Sequence, residues 1–292
     1  MLNIIKSDIY RLFRSVGFYI AVALIIIISV MSIITMQGGR IGISASIGVE
    51  ETENSDNLPG STGENAMTYE KLDKLNRAKS VSEFRSIMKS FGSYELDKEI
   101  IGQNANLYYV IIFIVGIIIT KDFSYKSVKN TLSSAVSRKK YFFSKFLLVL
   151  GISTILILFN NYFTYFLNII VNGKEFASTF ADITKVTLLQ LPLLYGIICL
   201  LICFAFLTKK TSLFNTISIP FLMICELIII MITSMFKIKA NFLVTYELQS
   251  VMNSLVSNPT NEFIWKCSLL GIAYMIVFTI IGYYSFKNAE IK

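Results

Sequence analysis

The chain has 292 residues, is 54% hydrophobic with a mean hydropathy of +0.63, and carries 27 Lys/Arg against 19 Asp/Glu for a formal net charge of +8. Its many unbroken apolar runs exceed what a soluble domain of this length needs, so the expected class is an all-α polytopic membrane protein, one transmembrane domain over 1–292. The lack of any histidine removes the usual general base and most triad chemistry, and the basic excess is too unevenly spread to suggest nucleic acid as a partner.

Leu2 to Ser15 is a candidate amphipathic helix. Leu2, Ile5, Ile9, Leu12 and Phe13 fall on one face, while Lys6, Asp8, Arg11 and Arg14 fall mostly on the other. Such a helix lies in the headgroup plane and leads into a span, here expected over 18–36. Three basic residues before an apolar run resemble a secretory signal. This run, however, is near the ~20 residues that cross a bilayer, so it reads as a retained anchor with its N terminus inside. Residues 37–104 form a long outer loop. Gly38 to Gly63 is rich in Gly, Ser, Asn and acids and is expected to be mobile. From Met67 to Met88, the residues Leu72, Leu75, Val81, Phe84 and Met88 sit near helical spacing, which predicts a surface helix.

The second span is expected over 105–120. Its apolar part, Leu107 to Thr120, is short, so the helix should begin among the polar residues before Leu107. Then comes Lys121 to Lys145, with seven Lys/Arg and a single acid, Asp122. That bias puts the 121–141 loop on the cytoplasmic side. Val128, Leu132 and Val136 recur at helical spacing and predict a short helix with one apolar face. Arg138, Lys139 and Lys140 are placed near its C-terminal end, where cations oppose the helix dipole favourably. An ordinary cytoplasmic loop obeying the same charge rule is the plainer reading of this stretch.

The third span, 142–171, is overlong, which implies tilt or an emergent outer end. Its Asn160, Asn161 and Asn168 either bridge helices or line a cavity. After a short outer loop, the fourth span covers 186–207 with Pro192 near its outer end, and a tight inner turn carries Lys209 and Lys210. The fifth span, 213–236, contains Pro220 and Glu226. A lone acid deep in a span is costly, so Glu226 either contacts a cationic substrate or ion or makes a structural hydrogen bond. Phe242 to Leu255 is amphiphilic and suits an interfacial or re-entrant piece. The sixth span, 264–286, opens with Trp265 as an interface residue. Six spans with both ends inside give the inner segments 14 Lys/Arg against 3 Asp/Glu and the outer ones 13 against 15. The excess therefore marks topology, with membrane lipids as an electrostatic partner. All four cysteines lie in or beside apolar runs, and Cys199 and Cys203, although at i and i+4, read as packing residues and not as a metal site.

Lys121-Asp122-Phe123-Ser124, Lys129-Asn130-Thr131-Leu132-Ser133, and Arg138-Lys139-Lys140-Tyr141 with Lys145 resemble the loop between the second and third spans of type-2 ATP-binding-cassette (ABC) exporter permeases, in particular small bacterial peptide and antimicrobial-type exporters. The span arrangement agrees with that family over most of the chain, least so in the outer loop. The resemblance implies a coupling helix in which Val128, Leu132, Val136, Arg138, Lys139 and Lys140 meet a separate ATPase subunit, and an N-terminal helix that touches the same subunit. It implies two ATPase copies, which bind ATP with magnesium, and a second permease chain, identical or homologous. Glu226, Asn160 and Asn161 are the candidates for a substrate path. The chain has no G-x-x-x-x-G-K-[ST] phosphate loop, and Leu132-Ser133-Ser134-Ala135 lacks both glycines of the ATPase signature. No catalytic residue, metal site or cofactor is therefore expected in this chain. The expected substrate is a hydrophobic or amphipathic peptide, with lipid, drug or ion as alternatives, and the expected place is the cell membrane. A different class, a non-transporting sensor or scaffold with a ligand-binding outer loop, suits the length of 37–104.

Overall fold

The computed structural model describes residues 2–46, 107–125, 127–133, 136–174, 177–235 and 261–289, together with Ile101 and Leu255. Every regular element among the described residues is helical. α1 (Leu2–Phe13) turns at Arg14 and Ser15 into α2 (Val16–Ser46). The second apolar run forms α3 (Leu107–Val115), a π turn (Gly116–Thr120) and α4 (Lys121–Ser124), with helical backbone across both junctions. Then come α5 (Ser127–Ser133), α6 (Arg138–Asn172), α7 (Phe180–Thr208), α8 (Thr211–Met235) and α9 (Asn261–Lys287). Among the described residues, four segments are long and apolar enough to cross a membrane: Val16–Ile33, Arg138–Val171, Phe180–Thr208 and Asn261–Lys287.

Helix ends extend beyond the apolar runs because capping residues, and not hydropathy, stop them. α2 continues past Met36 into the segment expected to be loop, and no proline interrupts it before Ser46. α7 begins at Phe180 and not at 186, because the Thr179 hydroxyl accepts from the Asp182 amide and caps the first turn. It ends where Lys209 adopts a left-handed conformation (φ 53°). α6 starts at Arg138, capped by Ser137, and so takes in the basic cluster that the sequence suggests is loop. The expected surface helix at Met67–Met88, a helix start before Leu107, and the amphiphilic piece from Phe242 as far as Ser254 lie outside the described residues.

α7 is the axis of the bundle. It is apolar all round and buried on most sides from Leu193 to Phe206, as expected for a helix enclosed by others. It packs most extensively on α9 and also touches α6, α8, α3 and the π turn. The close approach to α9 rests on glycine. A Cβ at Gly271 would lie 2.5 Å from the carbonyl carbon and oxygen of Pro192, and one at Gly282 would lie 3.3 Å from Cys203 Cα. Small residues at such crossings let backbones meet and gain dispersion contact, which is the main attraction between helices in lipid.

Candidate functional site

The basic segment is rooted in the bundle through two neighbouring residues of α4. Phe123 enters an aromatic cluster, with ring centroids 6.0 Å from Phe206 of α7 and 6.1 Å from Phe286 of α9. Tyr141 and Phe142, from the first turns of α6, join the same cluster, at 5.5 Å from Phe286 and 4.8 Å from Phe206 respectively. Edge-on and tilted rings at these distances add about 0.5–1.5 kcal/mol per pair beyond the area they bury. Asp122 points instead into a buried ionic network.

That network joins α1, α4 and α6. Lys145, 1% exposed, ion-pairs with Asp122 and lies 2.7 Å from Asp8 Oδ2. Arg11 donates to Asp122 Oδ1 at 2.6 Å and reaches Asp8 Oδ1 at 3.5 Å. The Tyr141 hydroxyl donates to Asp122 Oδ2 at 3.0 Å, and its ring lies 5.4 Å from the Lys145 ammonium. Two acids and two bases balance, which is what permits charges to be buried here at all. The two carboxylates are not equivalent. Burial raises both, but at Asp122 the Lys145 and Arg11 charges outweigh it and hold the carboxyl below its ordinary value. At Asp8, burial wins over Lys145 and the carboxyl is pushed up. Asp122 has Lys145, Arg11 and Tyr141 close by, whereas Asp8 has Lys145 close, Arg11 only at 3.5 Å, and the like charge of Asp122 beside it.

The predicted short helix is present as α5, but its apolar stripe faces the protein itself. Val128 is 1% exposed, and Leu132 and Val136 pack against the core. The bundle thus covers Val128, while Leu132 and Val136 stay partly exposed. What α5 and the next turn present outward is polar, namely Lys129, Asn130, Ser133, Lys139 and Lys140. The basic cluster also sits elsewhere than expected. Arg138, Lys139 and Lys140 open α6 and do not close α5. Arg138 does oppose a helix dipole, but that of α9, by donating to the carbonyls of Phe286, Lys287 and Ala289 at 3.4, 2.6 and 2.8 Å.

Of the substrate-path candidates, Asn160 and Asn161 are taken up in a chain that bridges three helices. Ser29 of α2 donates to Asn160 Oδ1 at 3.3 Å, Asn160 to Asn161 Oδ1 at 3.1 Å, and Asn161 to Thr187 of α7 at 3.1 Å. Asn168 is fully buried on the same helix. Glu226 lies in α8, with its side chain outside the described residues. Asp8, Arg11 and Lys145 were not among the sequence candidates. The available signal was a lysine inside an apolar stretch, Phe142-Phe143-Ser144-Lys145-Phe146, which must find a carboxylate once it is buried.

The family profile described as ABC-2 family transporter protein matches residues 2–291, nearly the whole chain. No curated protein and no solved structure matches it.

Proposed function

This chain belongs to the ABC-2 family of transporter proteins, and on that premise we propose that it is the permease subunit of an ABC exporter in the cell membrane. It crosses the membrane six times with both ends inside. It pairs with a second permease chain, identical or homologous, and is driven by two copies of a separate subunit that binds and hydrolyses ATP with magnesium. Its substrate is hydrophobic or amphipathic, a peptide or antimicrobial peptide, and Glu226 is its candidate contact within the spans.

One observation carries this reading. The segment between α4 and α6 is fixed at both ends, by the ionic network, the aromatic cluster and the Arg138 cap, while its outward face is polar and exposed. A push on α5 therefore reaches α1, α6, α7 and α9 together, as a coupling element requires. The ATPase contact is assigned to the polar face, through Lys129, Lys139 and Lys140, and not to the inward stripe of Val128, Leu132 and Val136. The test is to purify the tagged chain from its native membrane and assay ATP hydrolysis in the purified fraction. Hydrolysis should accompany the chain, and Lys129→Glu with Lys139→Glu should lower it several-fold at equal permease yield. A purified fraction with neither hydrolysis nor a second protein would overturn the proposal.

A further inference from the structure

At the C-terminal end of α1, a cavity of about 400 Å³ opens between α1, the π turn and α4. Two chain markers fix its depth. Ser15 on its rim immediately precedes the first apolar run, which begins at Val16. Lys121 on its other rim immediately follows Thr120, where the second apolar run ends. The cavity therefore lies where hydrocarbon gives way to headgroups. Its buried lining is Leu12 and Ile118 together with Asp8, and Arg11, bound to Asp122, lies beside them. Its mouth is cationic. Arg14 and Lys121 have no acidic partner among the described residues, and the one acid of the lining, Asp8, is already paired with Lys145. Tyr10 and Tyr125, 66% and 72% exposed, add hydroxyls at the mouth. An exposed apolar stripe on α2, Val16, Tyr19, Ile20 and Ile27, starts one residue past the rim.

We propose that this cavity is a headgroup site for an anionic phospholipid, with the phosphate held by Arg14 and Lys121 and the acyl chains lying along the α2 stripe. A soluble phosphate compound would satisfy the two cations and leave the depth and the stripe without a purpose. Basic hollows between spans at the membrane edge suit acidic lipid headgroups for the same reason. The site rests on the chain's membrane placement and needs no ATPase, so its failure would leave the transport reading standing.

The experiment titrates the full-length chain in detergent with phosphatidylglycerol or phosphatidylcholine and reads the lipid-bound fraction by native mass spectrometry. Phosphatidylglycerol should be preferred, and Arg14→Gln with Lys121→Gln should weaken its binding about thirtyfold, at about fivefold per charge. Lys6→Gln with Lys287→Gln removes the same charge elsewhere and should change binding by no more than about twofold. Equal losses in the two double variants, or no preference between the lipids, would overturn the site. So would glycerol 3-phosphate competing at the same concentration as the lipid, which would make it a soluble-anion site.

Discussion

α6 carries two buried polar clusters of opposite kind. Near its start, Lys145 holds the ionic network with Asp8, Arg11 and Asp122; about 22 Å further along, Asn160 and Asn161 hold a neutral chain from Ser29 to Thr187. Both tie α6 to two other elements, and both are almost wholly hidden apart from Arg11, whose side chain is 47% exposed. The difference follows from depth. A charge at the centre of a bilayer is expensive and becomes cheaper towards the interface, whereas an amide can stay in the middle provided its hydrogen bonds are made. The ionic cluster can therefore be strong only towards the end of the bundle.

Removing one member should break the two clusters very differently. Lys145→Met leaves Asp8 and Asp122 buried without their shared cation, and losing one partner of a buried ion pair costs about 3–5 kcal/mol. The chain should still insert, since the apolar run of α6 is lengthened. The thermal midpoint in detergent should fall sharply, and α1 should become open to protease. A midpoint equal to that of the unmodified chain would show that the network holds nothing together. Asn161→Leu should cost far less, about 0.6–1.7 kcal/mol, as expected for hydrogen bonds between helices in a membrane. The same midpoint measures it. A loss as large as that of Lys145→Met would mean that the amide chain, and not the ionic network, organises α6.

This contrast also marks what the sequence could and could not reveal. Apolar runs long enough to span are visible in composition, and α2, α6, α7 and α9 all contain the expected stretch. Helix ends are not visible in the same way. Arg138 to Tyr141 look like loop on hydropathy, yet Ser137 caps them into α6. Nothing in Gly116 to Thr120 announces a π turn. The stripe of Val128, Leu132 and Val136 marks an apolar face, but periodicity does not say what lies against it; the protein's own core buries Val128 and packs against part of Leu132 and Val136. The ionic network is the clearest case. Arg11 and Asp122 stand 111 residues apart, and only the fold makes them neighbours. The asparagines, by contrast, are legible as buried polar groups in a span, and the partners of Asn160 and Asn161 make these two bridges between helices.

The smallest effect expected is a dependence on pH, and it separates the two carboxylates within the ionic network. The charged or titratable groups that face them are Lys145 and Arg11 together with Tyr141. Asp122 is held below its ordinary value, so the stability it contributes is present above about pH 3.8 and is lost as pH falls through its folded value. Asp8 is pushed above its ordinary value, so its contribution is full below about pH 3.8 and is lost as pH rises through its folded value. Coming down from neutral pH, the network should first gain slightly as Asp8 takes up a proton, and then lose more steeply below about pH 3.8 as Asp122 is forced to do the same. The stability maximum therefore lies on the acid side of neutral. The amide chain contains no titrating group and adds nothing to the profile. Midpoints measured across this range should keep the low-pH fall but lose the acid-side gain in Asp8→Asn. Asp122→Asn should be destabilised at neutral pH and lack the low-pH fall. Interchanged profiles would mean that the proton resides on Asp122, and that Lys145 and Arg11 are committed to Asp8 and hold α1 more firmly than α4.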